Sequence, residues 1–348
     1  MDQRTRAIVA ALGIAGIFLL VQLGALALVE PFEQAGLQAT ENPQNATNSL
    51  VYIAALLAMT GLMLLAFRYD LEVVIRGLVV LVGGYIGFVV LASIVPASVA
   101  PVAGASAIAW VAAGAIVLGL LIYPEWYVID AAGIVMGAGA AGLFGISFGI
   151  LPALVLLAAL AVYDAISVYG TEHMLTLAEG VMDLRVPVVL VVPLSLSYSF
   201  LDADAPDSVA ETDGSGSDTP GGEQGADDSH DGENSDETPD NERAPLDREA
   251  LFIGLGDAVI PTVLVASAAA FAPESVPTVA AGGLSVPVTA IGAMIGTVLG
   301  LAVLLRMVLR GRAHAGLPLL NGGAIAGYLI AAVASGFSLA QAVGLAGV

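Results

Sequence analysis

The chain alternates long apolar runs with short polar breaks. Nine runs approach the length of about 20 apolar residues that a bilayer-spanning helix needs. They cover Ala7–Val29, Leu50–Phe67, Val73–Val95, Val102–Ile122, Tyr127–Ile146, Phe148–Tyr169, Leu251–Phe271, Val286–Leu309 and Leu317–Ala334. The fifth and sixth are nearly continuous and divide around Gly145 to Pro152. The first is long for a signal peptide and further spans follow it, so it is read as a membrane segment. The pattern predicts an all-α polytopic membrane protein with nine transmembrane helices.

The polar breaks orient these spans. All ten basic residues are arginines. With nine spans and a cytoplasmic N-terminus, Arg4, Arg6, Arg68, Arg76, Arg185, Arg243, Arg248, Arg306, Arg310 and Arg312 all fall on the inside, as the positive-inside rule requires. The loops Glu30–Ser49, Pro96–Pro101 and Ala272–Ser285 carry none and fall outside, and the C-terminus ends outside.

One break differs in kind. Leu201–Glu249 holds 17 of the 31 acidic residues and is rich in Gly, Ser and Pro. Such a segment cannot bury a core and is expected to be a disordered cytoplasmic loop. Its deletion between Asp204 and Asp240 should leave folding and activity largely intact. Just before it, Val186–Phe200 is apolar but short and interrupted by Pro187 and Pro193. Its Val188–Val192 stretch is strand-like. The expected organisation is a five-span scaffold over 1–146, the sixth span and strand-like segment over 147–200, the acidic loop over 201–249, and a three-span part over 250–348.

Composition narrows the chemistry. Cysteine is absent, which excludes disulfides and Cys-ligated metals. The net charge is -21 and there is no lysine. An acidic, lysine-free surface suits a halophile that must keep its surface hydrated in concentrated salt. With no basic patch, no nucleic-acid partner is expected. The expected surroundings are the lipid bilayer, and a homo-oligomer is compatible with the sequence.

Two aspartates sit inside apolar stretches, Asp164 near the end of the sixth span and Asp257 near the start of the seventh. An ionised side chain at bilayer depth costs roughly 2.5 kcal/mol or more, so such residues are usually functional. Asp164 lies eight residues before Glu172, and Asp257 eight residues past Glu249. At a helical rise of about 1.5 Å per residue, each lies about 12 Å from a polar boundary on the cytoplasmic side. The spans run in opposite directions, so the two carboxylates reach one depth. Two facing carboxylates can share a proton, which is the apparatus of an aspartic protease. The ionised one takes a proton from water, and the protonated one donates to the scissile carbonyl oxygen. No metal or organic cofactor is implied. Gly254 and Gly256 flank Leu255 just before Asp257, where they permit close approach of a backbone. Tyr163 is placed to hydrogen-bond near the pair.

Together, Tyr163-Asp164, Gly254-Leu255-Gly256-Asp257 and a proline motif opening the ninth span resemble the presenilin and signal peptide peptidase family of intramembrane aspartyl proteases, particularly its archaeal members. The nine spans and the long loop between the aspartate spans are similar to presenilin topology. The resemblance covers essentially the whole chain. It implies hydrolysis of peptide bonds within transmembrane segments, with Asp164 and Asp257 as the catalytic pair and transmembrane helical proteins or peptides as substrates. It also implies that Pro318, Leu319 and Leu320 shape the active site, where the family usually has Pro-Ala-Leu and this chain has leucine in the middle. The Val188–Val192 stretch resembles the segment that pairs with an unwound substrate as an added strand.

Two other readings use the same carboxylates. A proton- or ion-coupled transporter would use them as relay groups, but no repeat relates the two halves of the chain. A prepilin-type peptidase also has a GxGD aspartate, but with fewer spans and no ninth-span proline motif. A zinc protease would need HExxH, which is absent, and His173, His230 and His314 all fall in polar or interfacial stretches.

Overall fold

A chain in hydrocarbon must satisfy its own N–H and C=O groups, and a helix does so within one segment. The computed structural model describes residues 3–69, 71–170, 189–194, 198–199, 250–281, 283–309 and 315–345. The acidic loop 201–249, the three histidines and Glu172 lie outside the described residues. Helices α1 to α6 cover Gln3–Gln34, Thr47–Arg68, Glu72–Ile94, Ala107–Ile122, Trp126–Ser147 and Ile150–Gly170. Helices α7 to α9 cover Leu255–Ala270, Val288–Val308 and Gly316–Ala334, and a short α10 covers Leu339–Ala342. Seven of these are long and apolar enough to cross a membrane. The other two apolar helices, α4 and α7, sit at the fourth and seventh expected spans but have 16 residues each.

Both short helices start late because a strand takes their first residues. The fourth span was expected from Val102. Instead Pro101–Val102 (β1) pairs antiparallel with Ala105–Ser106 (β2), turning through Gly104 at φ 85°. Helix α4 begins at Ala107, where the Ser106 side chain accepts the N–H of Ala109 at 3.2 Å and caps the first turn. The seventh span was expected from Leu251. Instead Ala250–Gly254 is a strand, β4, paired antiparallel with Val189–Pro193, β3. An apolar run of this length does not by itself distinguish a strand from the start of a helix. The strand-like stretch read at Val188–Val192 coincides with β3, apart from Val188, which lies outside the described residues. A third strand pair, Thr278–Ala281 (β5) with Leu284–Pro287 (β6), precedes α8 and takes Val286 out of the eighth helix.

The β3–β4 strand pair is embedded in the protein. Leu190 and Val191 of β3 and Leu251 to Ile253 of β4 are buried in one cluster with Phe18 of α1, Ile129 of α5, Leu301 of α8 and Leu320 of α9. Helices α8 and α9 meet backbone to backbone. A methyl group at Gly296 would collide with the Gly323 carbonyl, and one at Gly300 with the Leu319 carbonyl. Small residues at such contacts let membrane helices approach closely where the hydrophobic effect offers no drive. Here they fix where α9 begins relative to α8.

Candidate active site

Asp164 faces inward because of its place on α6. Val162, Tyr163 and Ile166 are 60%, 43% and 59% exposed, while Asp164 and Ser167 are buried. The Asp164 Oδ2 accepts the backbone N–H of Leu317 at 3.0 Å. Leu317 is the second residue of α9, and the first N–H groups of a helix have no partner within it. Ala315, at the cap position, supplies no side-chain bond. A carboxylate from α6 therefore caps α9. Pro318 follows at the third helical position, where its missing N–H removes no intrahelical bond.

Asp257 arrives from the other side. It is the third residue of α7, directly after β4 and Gly254. A methyl at Gly316 would lie 3.6 Å from both carboxylate oxygens of Asp257. Both aspartates thus converge on Gly316 and Leu317, and they are near enough for their charges to interact. Asp257 sits in the first turn of its own helix and beside the first turn of α9. Helix N-termini carry partial positive charge and favour an anion there. The equal-depth argument from Glu249 assumed helical rise through 250–254, which is strand. The carboxylates nevertheless come together.

Gly254 and Gly256 are both exposed, and Gly254 has φ -60°, open to any residue. A methyl at Gly254 would stand 3.5 Å from Asp257 Oδ2. The glycines therefore keep the backbone beside Asp257 open and uncovered. Leu255 is half-buried, and a methyl at Gly137 of α5 would lie 3.1 Å from its side chain. Tyr163 lies on the outward face of α6, while Asp164 turns inward. Leu319 holds its carbonyl against Gly300, so this leucine sits where α8 pins the α9 backbone. Leu320 is fully buried in the core and sets the position of α9 from inside.

Three neighbours escaped the sequence reading. Pro261 lies four residues after Asp257 in α7, so the Asp257 carbonyl loses its helical partner. Asn321 is fully buried and donates from Nδ2 to the Leu157 carbonyl at 2.9 Å, tying α9 to the helix that carries Asp164. Asp130 of α5 is buried, and its Oδ1 accepts the N–H of Val191 in β3 at 2.8 Å. A charged residue inside an apolar span was signal enough for Asp130, by the same reasoning that picked out Asp164. The other two offered no signal apart from their neighbours. The bond from Asp130 also bears on the strand-addition idea for Val188–Val192. At Val191, β3 meets β4 on one edge and Asp130 on the other.

The family model "Signal-peptide peptidase, presenilin aspartyl protease" matches residues 15–337. The chain belongs to this family. Two solved structures of a presenilin family intramembrane aspartate protease, in C222 and P2 crystal forms, are 32% and 33% identical to it, each with a TM-score of 0.59. Each comparison covers 93% of this chain, and 99% and 97% of the solved chains respectively. No curated protein matches. As a member of the presenilin and signal peptide peptidase family, the protein is a multi-pass intramembrane aspartic protease with a presenilin-like fold, acting on transmembrane substrates in a bilayer. The transporter and prepilin-peptidase readings are set aside.

Proposed function

We propose that Asp164 and Asp257 are the catalytic pair and that together they hydrolyse a peptide bond presented at the start of α9. The observation that carries this reading is their convergence on Gly316 and Leu317 from two different helices. Like charges this close do not both ionise readily, so the pair holds one proton. The ionised carboxylate removes a proton from water as the water oxygen bonds to the scissile carbonyl carbon. The protonated carboxylic acid gives its proton to the carbonyl oxygen. Collapse of the resulting gem-diol breaks the C–N bond, and the leaving nitrogen takes up a proton. The substrate must be unwound there, because a helical peptide bond is shielded by its own hydrogen bonds. Exposed Gly254 and Gly256 leave room for such an extended segment next to Asp257. Pro318 and Leu319 shape the opposite wall, while Leu320 and Leu255 hold the walls in place.

The orientation that fits the arginines has the N-terminus and the acidic loop in the cytoplasm and the C-terminus outside. In it, the β3–β4 strand pair and both aspartates lie in the cytoplasmic half.

Cleavage of a single-span substrate by purified protein in lipid at high salt tests the reading. Wild type should cut, whereas folded Asp164→Ala and Asp257→Ala should not. Full cleavage by either variant would overturn the pairing.

A further inference from the structure

We propose that Asp130 is a positioning residue for the protease: by accepting the Val191 N–H it fixes the register of β3 on α5 and, through β4, the placement of Asp257. The inference rests on the assignment of Asp257 above.

The hydrogen bond sets how the strand pair is oriented. An N–H turned to Asp130 is turned away from β4, so Val191 and Phe252 form a non-hydrogen-bonded pair of the antiparallel ladder. The ladder to β4 then runs through the flanking pairs, Leu190 with Ile253 and Val192 with Leu251. Asp130 therefore reads the outer edge of β3, on which Val189, Val191 and Pro193 alternate. A slip of one residue would turn every side chain of β3 to the other face. A slip of two keeps the faces, but in one direction it brings Pro193, which has no N–H, to the carboxylate.

A second contact holds the same strip of chain. Ser199 donates from Oγ to Glu125 Oε1 at 2.6 Å, and Glu125 caps α5 by accepting the Trp126 N–H. Val191 thus meets α5 at Asp130, and Ser199 meets the start of the same helix at Glu125. On the other strand, Phe252 stands five residues before Asp257, and β4 passes into α7 without a loop. A shift of β3 that carried β4 along would move Asp257 relative to Gly316 and Leu317. A buried carboxylate in an apolar helix is expensive, and this one is used on a single strand of the pair that delivers Asp257.

The test uses the full chain in lipid with a single-span substrate, reading KM, kcat and the masses of the products. Asp130→Leu removes the acceptor. Asp130→Asn keeps an Oδ1 that can still accept the N–H. Val191→Pro removes the donor on the outer edge, where a strand tolerates proline, and leaves the β4 ladder intact. Asp130→Leu and Val191→Pro are expected to spread cleavage over neighbouring bonds and to raise KM several-fold. Asp130→Asn is expected to restore a single cleavage position. Three results would overturn the proposal: one cleavage position with wild-type KM in Asp130→Leu, failure of Asp130→Asn equal to that of Asp130→Leu, or loss of folded protein in both Asp130→Leu and Val191→Pro. Asp257→Ala, run alongside, reports on the catalytic assignment separately. Cleavage retained there would remove the pair whatever Asp130 does.

Discussion

Helices α2 and α5 are both 22 residues long, yet they occupy opposite environments. The more hydrophobic of the two is the one outside. Over its most apolar 18 residues α2 has a mean hydropathy of 2.2 with 6% of those residues buried, whereas α5 has 1.6 with 67% buried. In water the order would be reversed. Lipid is as apolar as leucine, so the face with the largest apolar side chains gains nothing by turning inward. The interior is given to helices that other helices can approach closely. Helix α5 qualifies through Gly133, Gly137, Gly139, Gly142 and Gly145, all on its sequence, and it carries the buried Asp130 as well. In this pair low hydropathy and small residues mark the buried helix, but hydropathy alone does not rank burial: α1, at 2.4, has a larger buried share than α9, at 1.7.

Four tests separate interior from edge, in descending order of effect. Removing either carboxylate of the proposed pair, by Asp257→Ala or Asp164→Ala, should lower kcat by on the order of 10²–10⁴, the usual contribution of general acid–base groups. Normal product formation in single-turnover assays would contradict this. Next, Gly145→Leu on α5 should destabilise by about 1–3 kcal/mol or more, because a side chain there meets Ala266 and the backbone at Ser267 of α7. A lowered Tm in detergent checks it. Asn321→Leu should cost about 1 kcal/mol, since it removes one buried hydrogen bond, to Leu157, while filling similar space. The fourth is Gly61→Leu on α2, where nothing lies within 4 Å of an added methyl. Its effect on stability should stay within about 0.5 kcal/mol, leaving Tm almost unchanged. Equal losses for Gly145→Leu and Gly61→Leu would break the contrast between the two helices.

Much of the site was legible because a charge in an apolar run is costly wherever it occurs. That cost singled out Asp164 and Asp257 without any knowledge of packing. It applied equally to Asp130, near the start of the fifth span, which the sequence reading did not single out. Tyr163 was read as a neighbour of the pair because it adjoins Asp164 in sequence. Adjacent residues on a helix point about 100° apart, and the structure has one inward and the other outward. The start of the seventh span was misread for a related reason. Leu251, Phe252 and Ile253 are apolar in a strand or a helix alike, and only their partners 59 to 63 residues earlier in the chain decide between them.

What the sequence determined by itself was the membrane class, the number and order of the apolar runs, the two costly carboxylates and the family. These depend on composition and on local spacing, which the bilayer reads one segment at a time. Tertiary structure alone decided that both aspartates converge on Gly316 and Leu317, that strand β4 replaces the first turn of the seventh span, and that Asp130 holds its partner strand β3. Each of these depends on the rotation of a helix about its axis or on pairing between distant residues. Hydropathy carries little of that information, because lipid is indifferent to which apolar face it meets.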